Sequence, residues 1–146
     1  MDRRTKKEKR SFNMSRIRGK DTAPELRLRR ALHAAGLRYR LHGKGMPGRP
    51  DLVFRKRRAV VFVHGCFWHR HEGCIKTTTP SSNVKFWADK FSGTKKRDAA
   101  VVERLRADGW RVAIVWECRL TTAAVPETAA ELSRWLITSA DFLEIG

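Results

Sequence analysis

His64, Cys66, His69, His71 and Cys74 crowd into one stretch, Val61–Cys74, which begins as an apolar run and ends as a metal-prone loop. Cys66-x4-His71-x2-Cys74, joined by the distant Cys118, offers three thiolates and one imidazole, an accepted ligand set for structural zinc. This set uses every cysteine of the chain; the plainer alternative is three free thiols buried as small hydrophobes. His64 and His69 remain. Their imidazoles suit proton transfer near neutral pH, against the simpler roles of capping a strand end (His64) or lying on the surface (His69). Asp51 follows Pro50 at the start of a second short apolar run and is the candidate carboxylate for a divalent cation. Many DNA-cutting enzymes pair such an Asp with Glu-x-Lys on the next strand. Here that strand ends Val63-His64-Gly65, so a second Mg2+ ligand has to come from a backbone carbonyl, a hard oxygen that Mg2+ accepts.

Aromatic rings and positive charge surround these groups. Phe67 and Trp68 lie inside the metal-prone loop, and Phe86 and Trp87 open a basic segment. Large rings among Lys and Arg suit stacking on bases or insertion between them; core packing is the alternative, preferred for Phe86 and Phe91, whereas Trp68 reads as functional. The chain of 146 residues carries 32 Lys+Arg against 15 Asp+Glu, a net charge of +17, and charge of that density favours a polyanion, nucleic acid first. No basic amphipathic helix with a wide apolar face marks a membrane target, and no stretch reaches the length of a membrane span. The odd cysteine count, without an apolar leader, points to reduced thiols in the cytoplasm.

The elements that must position these residues follow from periodicity. Residues 1–20 form a basic arm; Phe12, Met14 and Ile17 within it either dock the arm on the domain or, in the case of Phe12 or Met14, act as an apolar wedge. Residues 21–146 form one domain. Thr22 and Glu25 fit a capping box with Pro24 in the first turn, and Leu28, Ala31, Leu32 and Ala35 face a sheet until Gly36 ends the helix. Glu25 therefore either caps the helix or faces a metal. Strands are expected at 37–41, 51–54, 59–64 and 111–116. Arg55 to Arg58 form a turn of pure positive charge. The run Val60-Val61-Phe62-Val63 marks a strand buried on both faces. A helix over 84–107, broken near Gly93, and a last helix over 126–139 complete the order α-β-β-β-α-β-α, a mixed sheet with helices on its faces.

Taken together, these residues resemble the very short patch repair (Vsr) mismatch endonuclease family. The matching strings are Asn13-Met14, Asp21-Thr22-Ala23 with Glu25, Pro47-Gly48-Arg49-Pro50-Asp51, His64-Gly65-Cys66-Phe67-Trp68-His69, Phe86-Trp87, Lys96-Arg97-Asp98, Gly109-Trp110-Arg111-Val112 and Val115-Trp116-Glu117-Cys118, in order along nearly the whole chain. The resemblance implies a restriction-endonuclease-like α/β core. It also implies an enzyme that nicks one strand beside a T·G mismatch in double-stranded DNA with Mg2+. In that reading Asp51 and the Val63 carbonyl bind Mg2+, His69 is the general acid/base, and Glu25 and His64 support water and phosphate. Asp98 stands behind them. Phe67, Trp68 and Trp87 wedge from the major groove and Met14 from the minor groove, while Cys66, His71, Cys74 and Cys118 hold zinc. A monomer near the nucleoid, with other mismatch-repair proteins as further partners, completes the expectation. The alternatives are a nickase of different mismatch or sequence preference, or a non-catalytic zinc-stabilised DNA-binding module.

Overall fold

The computed structural model describes residues 21–146; the basic arm of residues 1–20, with Met14, lies outside the described residues. Helix α1 (Ala23–Ala34) starts as its sequence predicts. Pro24 sits in the first turn, and the Thr22 N–H donates to Glu25 Oε2 at 3.2 Å. The helix closes where Gly36, at φ +88°, lets the Leu37 N–H return to Leu32 O at 3.0 Å. Strands β1 (Arg40–Leu41), β2 (Leu52–Phe54) and β3 (Ala59–His64) follow, then helix α2 (Val84–Ala107), β4 (Arg111–Trp116), helix α3 (Val125–Leu136) and β5 (Phe142–Ile145).

The five strands lie in the order β1-β2-β3-β4-β5, antiparallel from β1 to β3 and parallel from β3 to β5. β3 is thus internal, as its unbroken apolar run requires. Alternate residues of the sheet face two cores. Val61, Ala113 and Val115 pack with Leu28 and Leu32 of α1 and Leu132 and Leu136 of α3. Val60, Phe62, Val112, Ile114 and Trp116 pack under Leu105, Val101 and Val102 of α2. Each fully buried Val or Leu among them contributes roughly 1.5–3 kcal/mol relative to exposure.

Four expectations need correction. The first strand shrinks to Arg40–Leu41, because Leu37 and Tyr39 turn into the core instead of pairing. Helix α2 runs unbroken through Gly93: a single glycine costs about 1 kcal/mol, and its helix-forming neighbours carry the turn across. The last helix is Val125–Leu136, since Thr138 folds back onto Trp135 O at 2.7 Å. A fifth strand, absent from the expected order, pairs parallel with β4 through Val112↔Phe142 to Val115↔Ile145.

The loop before β2 is held tightly. Gly48 (φ +69°) and Arg49 (φ +46°) are consecutive left-handed residues, and a Cβ on Gly48 would lie 2.5 Å from Val101 Cγ1. Replacing Gly48 with Ala is expected to cost about 2–5 kcal/mol, the sum of left-handed strain and overpacking. Adding Val101→Ala should recover the steric part in a thermal melt. If G48A melts with the wild type, the loop is not tightly seated against α2.

Candidate active site

Strand register assembles the site. Because β2 and β3 are antiparallel with Leu52 opposite Val61, Asp51 at the entry of β2 meets the exit of β3. There Asp51 Oδ2 accepts the Val63 N–H at 2.6 Å. Glu25, on the first turn of α1, is 2% exposed, and its Oε1 is buried without a hydrogen-bond partner. Ligand atoms of Glu25, Asp51 and His42 all lie within 4.8 Å of one another. Burial, followed by the hydrogen bond to the Glu25 carboxyl, pushes the Asp51 carboxyl up to about 8, against a smaller opposing pull from the Val63 N–H. Two carboxyls packed together out of water have one guanidinium beside them, Arg29 at 3.2 Å from Glu25 Oε1, against two potential negative charges. Their hard oxygens suit a cation such as Mg2+. Both readings of Glu25 are thus compatible with its placement, for Oε2 serves the helix cap while the carboxyl lies beside Asp51.

His42 was not singled out from sequence, because a lone His in a Gly/Pro loop carries no spacing signal. It sits 3.2 Å from Asp21 Oδ1 and 3.3 Å from Arg29 Nη2. The nearly buried Arg29 in turn pairs with Asp21 at 2.8 Å and lies 3.2 Å from Glu25 Oε1. The carboxyl pair is therefore tied to the residue where the basic arm joins the domain.

At the exit of β3 the His64 and His69 rings stack, with centroids 3.9 Å apart and planes 8° from parallel. Burial, with help from His69, pushes His64 down to about 3, so it stays neutral through the physiological range. His69 Nδ1 lies 2.6 Å from Asp98 Oδ2 on α2. A carboxylate only accepts, so Nδ1 carries the proton of this contact and Nε2 is the ring nitrogen left for proton transfer. One cleft is lined by Asp51, Val63, His64, His69 and Asp98, together with Lys44 and Arg49. A second opening to the same group is bordered by Glu25, Phe67, Trp68 and Glu117. If His69 transfers a proton in a reaction at this cleft, replacing it with Ala should slow a single turnover by about 10²–10⁴-fold, the usual worth of a general acid or base. Asp98→Asn should then slow it by a smaller factor with substrate affinity unchanged. A wild-type rate in D98N would remove Asp98 from the site.

The parallel register His64↔Trp116 brings the loop after β3 beside the turn after β4. Cys66, His71, Cys74 and Cys118 converge there, their ligand atoms within 4.8 Å of one another. Cys66 Sγ and Cys118 Sγ lie 3.6 and 3.5 Å from His71 Nδ1. Tetrahedral zinc with Zn–S near 2.3 Å and Zn–N near 2.0–2.1 Å separates S and N by about 3.6 Å. Four-donor geometry thus exists, with His71 between the sulfurs of Cys66 and Cys118. Burial pushes Cys66 up to about 12 and raises Cys118, whereas the Lys76 backbone N–H helps bring Cys74 down to about 7. Glu117, given no role of its own from sequence, accepts the Cys66 N–H at 3.2 Å and braces this loop.

The aromatics form one cluster. Phe67 contacts Trp68, Trp87 and Phe91 edge-on at 5.0, 5.7 and 5.3 Å. Arg70 lies 4.0 Å over Phe91. Phe67 and Trp68 are partly exposed, whereas Trp87 is buried beneath them. Phe86 is 59% exposed, which overturns its expected place in the core: it points away from the sheet while Trp87 and Phe91 take the inner face.

A family model described as DNA mismatch endonuclease Vsr matches residues 1–76 of this chain. The chain is also 46% identical over 121 residues to the type II nicking enzyme V.XorIIP of Xanthomonas oryzae pv. oryzae, covering 83% of this chain and 88% of that one. This chain belongs to the Vsr family. The Vsr family is restriction-endonuclease-like, and the five-stranded mixed sheet with helices on both faces is that core here. Further Vsr-type relatives are the DNA mismatch endonuclease Vsr of Escherichia coli, 41% identical over 133 residues (87% of this chain, 83% of that one), and the type II nicking enzyme V.NaeI of Lentzea aerocolonigenes, 38% identical over 140 residues (90% and 83%). No helix among the described residues is long and apolar enough to cross a membrane.

Proposed function

We propose that this Vsr-family chain is a Mg2+-dependent, strand-specific endonuclease that nicks double-stranded DNA beside a T·G mismatch, as in very short patch repair. The observation that carries the reading is the convergence of Asp51, Val63 and His69 on two openings, one lined by Asp98 and the other by Glu25, Phe67 and Trp68. Asp51 and the Val63 carbonyl would hold Mg2+. When bound, the cation would lower the pKa of water and offset charge growing on the scissile phosphate. His69 Nε2, with Asp98 fixing the ring, takes or returns the proton. Neutral His64 stacks on His69 and keeps its ring in place, and Glu25 orders the water around Asp51. Phe67 and Trp68 enter the base stack with Trp87 behind them, and Met14 enters from the arm. A mismatched step is cheaper to unstack than a paired one, which favours mismatched DNA. Cys66, His71, Cys74 and Cys118 hold structural zinc. The enzyme acts as a monomer in the cytoplasm at the nucleoid, alongside other mismatch-repair proteins.

The test is cleavage with Mg2+ of end-labelled duplexes, each strand labelled separately, with T·G mismatches in varied contexts and paired controls. A nick in the T strand of mismatched duplex alone is the expected result. The names of the type II nicking relatives favour one second reading, a nickase of different mismatch or sequence preference; cutting elsewhere would select it. Binding without cutting under any divalent metal would leave only a DNA-binding module.

A further inference from the structure

The turn Arg55–Arg58 does not belong to the cleft described above. β2 enters at Asp51 and leaves at Arg55, and β3 returns from Ala59 to His64, so the turn sits at the opposite end of the sheet. Six strand residues place it about 17 Å from the His64 end. There Arg55, Lys56 and Arg57 line one groove with Arg38, Tyr39 and Arg40, brought alongside by the antiparallel pair Arg40↔Val53. No carboxylate lines this groove among the described residues, and all five cations are exposed. Arg38 is steadied by the His33 and Leu37 carbonyls at 3.1 and 3.0 Å, and Arg57 by the Leu136 carbonyl at 3.4 Å. Each fork keeps further N–H donors for a ligand. Arg40, Arg55 and Lys56 make no ion pair or side-chain hydrogen bond among the described residues.

We propose that this groove is a second phosphate-backbone site, which holds a second DNA segment while the catalytic end of the sheet holds the first. It rests on the reading of the chain as acting on DNA. Five like charges without a counter-charge repel one another, and a row of phosphates relieves that repulsion. Forked guanidiniums on carbonyl anchors match phosphate oxygens in pairs. The groove lies at the opposite ends of β2 and β3 from the catalytic cleft, so a duplex seated across the cleft leaves these five cations open to another segment. Two sites let the protein pass from one duplex to another without release, which shortens the search for a rare step.

The test is a bridging assay. The full-length chain is bound to a bead-immobilised mismatched duplex of 16 base pairs, and a fluorescent, fully paired duplex of 30 base pairs is added. Capture of the second duplex is expected, falling roughly 500-fold between 50 and 200 mM salt if all five cations meet phosphates. R55E/K56E should lose at least about tenfold of capture while nicking of the immobilised strand stays within about twofold. Arg40→Glu, on the other side of the groove, provides an independent second variant, and thermal melts confirm that both variants fold. Capture unchanged in both variants, or none by the wild type, overturns the proposal. Parallel loss of nicking would put the groove on the cleaved duplex and overturn it too. Capture of labelled poly-glutamate but not of duplex would assign the groove to an acidic protein instead. Capture is read without cleavage, so bridging by a chain that nicks nothing would sink the nickase reading and leave this one standing.

Discussion

Replacing Asp51 with Asn is expected to slow nicking by about 10³-fold or more while the affinity for mismatched duplex stays within about threefold. Cation chemistry at a scissile phosphate is worth several kcal/mol, and each 1.36 kcal/mol is a factor of ten in rate. In the proposed function Asp51 holds the cation, whereas affinity for the duplex rests on the rings of Phe67 and Trp68 and on basic side chains such as Lys44 and Arg49, which the substitution leaves in place. The same variant has a second signature. Asp51 rises from an ordinary value near 3.8 to about 8, by burial first and the Glu25 carboxyl second. A raised folded-state pKa means that the native chain keeps a proton the unfolded chain releases. The resulting stability is complete below about pH 4 and is lost as pH rises through about 8. Without divalent metal the wild type should therefore melt lower at pH 8 than at pH 5, and D51N should flatten that slope. Added Mg2+ should raise the melting temperature of the wild type at pH 8 and leave D51N unmoved. Wild-type nicking by D51N, or equal loss of binding and nicking, would remove Asp51 from the cation site.

Replacing Cys118 with Ser is expected to empty the four-donor cluster and lower the melting temperature by roughly 10 °C or more, because structural zinc contributes directly to folding. Cys118 follows β4 and closes a set whose other members follow β3, so its loss unfastens the two central strands at one end. The damage should reach catalysis, since Phe67, Trp68 and His69 ride on the loop between Cys66 and His71. Metal content measured by mass spectrometry should fall from one zinc per chain to nearly none. A strong chelator should reproduce the effect in the wild type, more easily at acid pH, where thiols recover their protons. A variant that keeps its zinc and its melting point would show that the cluster is not the staple.

The parts of this architecture that were legible in the sequence are those set by local chemistry or by dense spacing. Thr22, Pro24 and Glu25 signal a helix start by themselves, and β3 announces its burial through four consecutive apolar residues. The cysteines could be grouped because they cluster, and because two of them end strands that proved to be parallel neighbours. β5 escaped notice for the opposite reason. Phe142-Leu143-Glu144-Ile145 is short, buries only Ile145 fully, and exists because β4 is there to pair with it. Phe86 was misplaced because neighbouring aromatics on a helix look alike in sequence, yet point about 100° apart in space. His42 and Glu117 were invisible as site residues. Each is a single polar residue without a partner nearby in the chain, and only folding brings His42 to Asp21 and Glu117 to Cys66.

The parallel pairing of β3 with β4 also dictates an order of events at the ribosome. Glu25, Asp51, His64 and His69 all emerge before α2, and β4 with Cys118 comes only afterwards. Until then β3 has one neighbour instead of two, and the loop carrying His69 lacks its fourth anchor. Pairings between distant segments form late. A nascent chain thus carries its basic, DNA-seeking half well before it can cut, and the capacity to break a strand appears only as the last quarter of the protein docks.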